Sequence, residues 1–173
     1  PGFVEPDPVP IEIVEIDLVA GTLSMTGRVD PNIDGEALGE EEDWYSITAF
    51  DLNRDRFVLS EGRQSRRHLT VRSARTGEIQ FDLGSRSVGS YQRWTDDGRI
   101  MRAFVEEDQG WLEVVSVEDG ASNRWPLGTA DRVALGGESR PGEVSIGVAQ
   151  YSETTADWNR QPLSINIDTG VIR

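Results

Sequence analysis

The chain has 173 residues with 17 basic and 31 acidic side chains, a formal net charge of −14. Every base is an arginine, and neither lysine nor cysteine occurs. This excludes Schiff-base chemistry and lysine-dependent phosphate loops, together with thiol nucleophiles, thiolate zinc sites and disulfides. The acidic balance argues against nucleic acid and against an anionic membrane, since both need a basic face.

Length allows one well-buried domain, and no apolar run approaches the roughly 20 residues that span a bilayer. Pro1, Pro6, Pro8 and Pro10 predict an extended, semi-rigid leader over residues 1–10, with a single domain over residues 11–173. The abrupt opening at Pro1-Gly2-Phe3 carries no charged-then-apolar signal. The expectation is a processed N-terminus whose signal or anchor lay upstream, and hence an extracytoplasmic (periplasmic or secreted) location. Charge is uneven: residues 1–50 carry −11, residues 51–102 carry +4 and residues 103–173 carry −7.

Period-two alternation marks the first strands. Ile11 and Ile13 alternate with Glu12, after which the apolar phase moves to Val14, Ile16 and Leu18; a bulge would account for the slip. Ala20-Gly21 makes a turn before Leu23 and Met25. Asp30-Pro31-Asn32-Ile33-Asp34-Gly35 with Glu41 then fits the calcium-loop pattern D-x-[DN]-x-[DN]-G-x5-E. Asp30, Asn32 and Asp34 would offer side-chain oxygens, Glu36 its carbonyl and Glu41 a bidentate carboxylate, matching calcium's preference for six to eight oxygens. Such an ion would be structural, pinning a long connection. The flanks read as strand or loop, not as paired helices, and a solvated acidic turn satisfies the same residues.

From residue 44 onward one unit recurs. Asp97-Gly98-Arg99 leads into Ile100–Phe104, then Leu112–Val117, the turn Glu118-Asp119-Gly120, and Trp125-Pro126-Leu127-Gly128. In the preceding unit Phe50 answers Trp94, Leu69-Thr70-Val71 answers Leu112–Val114, and Phe81-Asp82-Leu83-Gly84 answers the closing Leu-Gly. A third unit has Pro141-Gly142, Val144–Ala149, Leu163–Ile167 and Asp168-Thr169-Gly170. Gly77 to Gly120 is 43 residues, Gly84 to Gly128 and Gly98 to Gly142 are each 44, and Gly120 to Gly170 stretches to 50 around an insertion near Ser152–Arg160. A strand-built period in this range is the mark of propeller blades. With no helical stripe of ten residues, the chain is read as all-β: antiparallel four-stranded blades, about three full repeats plus a partial N-terminal one. A β-sandwich is the alternative.

Several residues invite chemistry. His68 is the single histidine, so any serine triad must use it. Gly84-Ser85-Arg86-Ser87-Val88-Gly89 has the wrong spacing for a nucleophile elbow. Arg54, Arg56, Arg63, Arg66, Arg67, Arg72 and Arg75 fall within 22 residues. Of these, Arg63, Arg66 and Arg67 could form a rim that clamps a carboxylate, a phosphate or a partner's acidic edge, or simply make a solvated hairpin tip. Trp94 and Trp125 stand at repeat positions and read as core. Trp111 and Trp158 read as loop or strand-edge aromatics suited to a protein interface or a sugar platform. Asp96-Asp97, Glu106-Glu107-Asp108 and Glu40–Asp43 could each be nominated for glycoside hydrolysis, whose carboxyl separation no sequence supplies.

An aromatic followed by Asp-Asp-Gly-Arg, an apolar strand, and a strand leading into Asp-x-x-Thr-Gly or Asp-Gly resembles the blade repeat of TolB-like β-propellers. Trp94-Thr95-Asp96-Asp97-Gly98-Arg99 carries the resemblance best, supported by Ile167-Asp168-Thr169-Gly170 and Arg75-Thr76-Gly77-Glu78. It covers roughly residues 44–173, but lacks the Ser-Pro before Asp-Gly, and has Asn53-Arg54-Asp55-Arg56 in place of one such turn. Since propellers hold 4 to 8 blades, the chain is a minimal propeller, part of a larger one, or an open stack completed by a partner. The resemblance implies binding through loops and rims. The expectation is a non-catalytic binding or accessory module, an extrinsic subunit of a larger protein or membrane complex with protein partners and no enzyme activity. The propeller portion of a hydrolase or peptidase, and a calcium-stabilised adhesion or carbohydrate-binding domain, are the alternatives.

Overall fold

The computed structural model describes residues 10–29, 44–63, 66–87 and 91–173. The leader over residues 1–9 and the Asp30–Glu41 loop, with its candidate ligands Asp30, Asn32, Asp34, Glu36 and Glu41, lie outside the described residues.

The chain is all-β, arranged as four antiparallel sheets in chain order. The first pairs β1 (Ile11–Asp17) with β2 (Thr22–Val29). The second is a meander of β3 (Trp44–Asp51), β4 (Arg56–Arg63), β5 (Arg66–Ser73) and β6 (Ile79–Ser87). The third repeats it with β7 (Tyr91–Trp94), β8 (Ile100–Glu106), β9 (Gln109–Val115) and β10 (Ser122–Thr129). The fourth has β11 (Arg132–Arg140), β12 (Glu143–Ser152) and β13 (Asp157–Asn166). One 3-10 turn, Leu52–Arg54, follows β3. Among the described residues the sheets do not close into a ring.

Four strands per repeat therefore describe the second and third sheets only. In the fourth, Val171–Arg173 pairs alongside Ser164 and Asn166, with Arg173 N donating to Ser164 O at 2.8 Å and Asn166 N to Val171 O at 3.0 Å. Pro162, two residues before Ser164 on the same edge, has no N–H to extend that ladder.

The repeat follows from turn chemistry. Gly77, Gly120 and Gly170 sit at corresponding turns with φ of 77°, 75° and 72°, a region in which a Cβ is strained. At the place of Gly98 (φ 90°) the preceding unit has Asp55, held at φ 48°; aspartate is one of the few side chains that tolerate it.

Three apolar layers fill the spaces between successive sheets. Val29, Phe57 and Leu59 join the first sheet to the second. Val58, Leu69, Val71 and Leu83 meet Ile100 and Val115 between the second and third. Met101, Ala103, Leu112, Val114 and Leu127 meet Val133, Val144, Ile146, Val148, Ile165 and Ile167 between the third and fourth. Leu83 and Leu127, matched by the repeat, are both buried. Trp94 and Trp125 are half-buried against the second and third layers, whereas Phe50 is exposed and only tilts against Phe57 at 5.9 Å.

The bulge at Ile13/Val14 is present, but the unpaired residue is Thr26 of β2, since Ile13 faces Gly27 and Val14 faces Met25. β1 keeps its alternation, so Val14 and Ile16 point away from the second sheet, and both are exposed.

Polar ties link the turns at one end of the sheets. Arg56 donates to Gly98 O at 2.6 Å and to Asp51 at 3.1 Å, and Arg54 donates to Asp96 O at 3.3 Å. Arg99 bridges Asp97 and Asp168, each at 2.7 Å. Glu138 accepts from Gly142 N at 2.8 Å and Asp96 N at 3.3 Å. The Arg99 guanidinium, helped by the Thr95 hydroxyl, holds the Asp97 carboxyl down at about 2 against a partial desolvation cost. A depressed carboxylate stabilises the fold above its unfolded value near 4 and loses that contribution as pH falls through 4 toward 2. Asp97 is more than half exposed, so solvent screening limits the effect to about 1 kcal/mol or less. Melting between pH 2 and 6 should show Asp97→Asn with a shallower acid limb than the native chain, and parallel limbs would refute the tie.

Candidate functional site

Antiparallel meanders place alternate connections at opposite ends. The β4–β5, β8–β9 and β12–β13 hairpins thus lie at the end away from the tied turns, and they form one rim. The chain enters β3 there too, since Trp44 pairs with Gly62.

The sequence cluster of seven arginines divides between the two ends. Arg63 and Arg66 are the closing pair of the β4–β5 hairpin, and Arg67 pairs in register with Gly62 and Arg86. Burial pushes the Arg67 guanidinium pKa down, the direction expected when a cation loses water. Arg54 and Arg56 belong to the opposite, tied end. Arg75 reaches Asp55 at 3.3 Å, and Arg72 pairs with buried Glu61 at 3.2 Å. One cluster in sequence is therefore two sites in space, because a hairpin carries neighbours in sequence to opposite ends of a sheet.

Trp111 and Trp158 lie within β9 and β13, not in loops, and both are half-buried. Trp111 faces Phe104 across the β8–β9 pair. The Arg124 guanidinium lies 3.8 Å above the Trp111 ring and 5.1 Å from Phe104, and also pairs with Glu106. In the fourth sheet Trp158 faces Tyr151, ring centroids 5.4 Å apart, with Arg132 at 4.6 Å over the indole. Each rim tryptophan thus carries a guanidinium on its face, an arrangement that holds a cation close to an electron-rich ring. Sequence reasoning missed Arg124 and Arg132. Neither is near its tryptophan in the chain, and only the strand register could have found them.

His68 is held at both nitrogens on the surface of the second sheet. Nε2 is 3.1 Å from Asp82 Oδ1 and Nδ1 is 3.4 Å from Ser85 Oγ. Only in the tautomer protonated at Nε2 would Nδ1 accept from the serine hydroxyl, the polarity of a triad. Acyl transfer also needs amide donors for the oxyanion, and the adjacent Gly84 N–H is engaged by Asp82 at 2.7 Å. The trio is an exposed cross-strand polar cluster. Asp96 and Asp97, and Glu106 to Asp108, lie at turns at opposite ends of β8. Among the described residues no group of three or more His, Asp or Glu side chains is placed to hold a metal ion. No described helix is long and apolar enough to cross a membrane.

No protein-family model matches the chain, and no curated protein matches it. A crystal structure at 1.18 Å of an uncharacterized protein from Listeria monocytogenes EGD-e is similar in fold, with a TM-score of 0.54 at 11% identity. The likeness covers 82% of this chain and 42% of that one, so this chain matches less than half of that protein's length. At such identity the likeness is one of architecture alone.

Proposed function

We propose that the chain is a propeller-like β domain, akin to TolB-like repeats, that works as a non-catalytic binding or accessory module: an extrinsic subunit of an extracytoplasmic protein or membrane complex. β3 lies against β7, and β7 against β11. The first strands of three successive sheets are thus neighbours, as the inner strands of blades would be. A sandwich would instead set two sheets face to face in two layers.

The observation that carries the binding reading is the rim. Three successive hairpins bring Arg63, Arg66 and Arg67, then Trp111 with Arg124, then Trp158 with Arg132, to the same end of their sheets. Arginine and tryptophan are enriched where partners bind most tightly, and guanidinium groups suit a carboxylate or phosphate on an acidic partner. A calcium ion in the Asp30–Glu41 loop would be a structural addition to the same module.

The test is native capture followed by mass analysis. The joint variant Arg63→Glu/Arg66→Glu/Arg67→Glu should lose the partner by about tenfold or more. Trp111→Ala/Trp158→Ala should weaken it comparably with an unchanged circular dichroism spectrum. Arg75→Glu, at the opposite end, should leave it intact. Equal capture by all of these at low and high salt would remove the rim from consideration.

A further inference from the structure

Among the described residues, two sheet faces have no sheet against them. One is the face of β1–β2 turned from the second sheet, where Val14 opposes Met25 and Ile16 opposes Leu23. These four are 46%, 64%, 60% and 70% exposed in that order. Together they form an apolar patch on the order of several hundred Å², at the size that marks interaction sites. The other is the face of β11–β13 turned from the third sheet. There Val144, Ile146 and Val148 point inward, leaving Ser145, Gly147 and Ala149 on the outer side with Pro162, Ser164 and Arg160 of β13.

We infer that these two faces meet between copies of this chain, the first sheet of one packing head-to-tail on the fourth sheet of another. The inference rests on the propeller reading above, and the chain's own packing supplies the template. Between the second and third sheets, Ile100 and Val115 lie in one layer with Val58, Leu69 and Val71. Counted back from the turn glycines Gly21 and Gly120, Ile16 holds the place of Val115 and Val14 that of Glu113. Counted from Gly170 and Gly77, Pro162 and Ser164 hold the places of Leu69 and Val71.

The same stacking applied to a second copy therefore sets Ile16 over Pro162 and Ser164. Gly147, paired in register with Pro162, lies on the same receiving face. Bulky groups on the arriving face meet small ones on the receiving face, which is the condition for close packing. The receiving hydroxyls are already satisfied: Ser164 Oγ donates to Glu143 at 2.8 Å and Ser145 Oγ to Gly137 O at 3.3 Å, so covering them leaves no orphaned donor.

Charge agrees with shape. Glu12, opposite Arg28 in register, shares the arriving face with Val14 and Ile16, and Arg132 and Arg160, both paired with Ala149, are exposed on the receiving face. A patch that fits a different patch on the same molecule makes a heterologous contact, which closes into a ring when the rotation permits. Two copies hold eight sheets, within the 4 to 8 that propeller rings contain.

Analytical ultracentrifugation and native mass spectrometry of the full chain test this. The expected species is a two-chain assembly. Ile16→Glu and Gly147→Arg should each weaken it by about tenfold or more. Both positions are exposed, and a side chain at Gly147 meets only Ala134 Cβ at 3.8 Å, so both variants should fold. A mixture of the two should regain pairing, because each mixed pair keeps one intact contact. A chain that stays monomeric overturns the inference, as does an assembly that Ile16→Glu dissolves and Gly147→Arg leaves untouched. A monomer with radially arranged sheets would leave the propeller reading standing, whereas a crystal structure with two facing layers would remove that reading itself.

Discussion

Replacing Glu113 by leucine should lower the free energy of unfolding by about 3–5 kcal/mol, the cost of stranding one partner of a buried ion pair. Arg102 is 3% exposed at its side chain and pairs with Glu113 inside the space between the second and third sheets. Its other terminal nitrogen donates to Leu83 O at 2.6 Å, so a single guanidinium holds β8, β9 and β6 together. Leucine removes the Glu113 carboxylate from beside a guanidinium that shares its strand face with Ile100 and Val115. The double variant Arg102→Met/Glu113→Leu should recover most of the loss, since apolar replacement of a whole buried pair is often neutral. Urea unfolding of the two variants reads the difference. If single and double variants unfold at the same midpoint, the loss comes from packing volume and not from charge. The exposed Arg124–Glu106 pair makes the contrast: breaking it should cost no more than about 1 kcal/mol.

The apolar half of this architecture is legible in the sequence because alternation and turn chemistry are local. Leu69 and Val71, Leu112 and Val114, and the glycines at 77, 120 and 170 announce strands and turns at a fixed spacing, and the layers form where that spacing puts them. The Leu-Gly closures at Leu83-Gly84 and Leu127-Gly128 are read in the same way. The polar half depends on partners that are distant along the chain. Nothing near Arg124 signals that it lies on Trp111, and nothing near Arg99 signals Asp168, 69 residues away. Residue counting also treats a run of arginines as one patch, although a hairpin turns Arg63–Arg67 and Arg72–Arg75 toward opposite ends. The phase slip at Val14 was visible as a bulge, but which strand carried the extra residue decided whether Val14 and Ile16 would be covered. That residue is Thr26, on the partner strand.

A methyl group on Gly27 should free the first sheet from the rest of the molecule. An ideal Cβ there would stand 2.7 Å from the Thr76 carbonyl carbon and 2.8 Å from the carbonyl oxygens of Arg75 and Thr76. All three are backbone atoms of the β5–β6 turn, which cannot swing aside as a side-chain tip can. Gly77 reports the same approach from the other side, its ideal Cβ falling 2.8 Å from Val29 and 2.9 Å from Arg28 O. Gly27→Ala should therefore cost about 1–3 kcal/mol, the usual range for overpacking, and the loss should be local. Two strands alone are marginally stable, and β1–β2 is held chiefly by Ile11, Ile13 and Val29 against Phe57, Leu59 and Ala74. Native-state hydrogen exchange should show β1 and β2 amides losing protection by about tenfold or more, since about 1.4 kcal/mol corresponds to tenfold. The β8 and β9 amides, behind Arg102 and the Met101–Leu112 layer, should keep theirs, because separate units open with separate free energies. An equal loss across all four sheets would mean that the first sheet is integral to one cooperative unit, and that Gly27 guards the whole fold and not one contact.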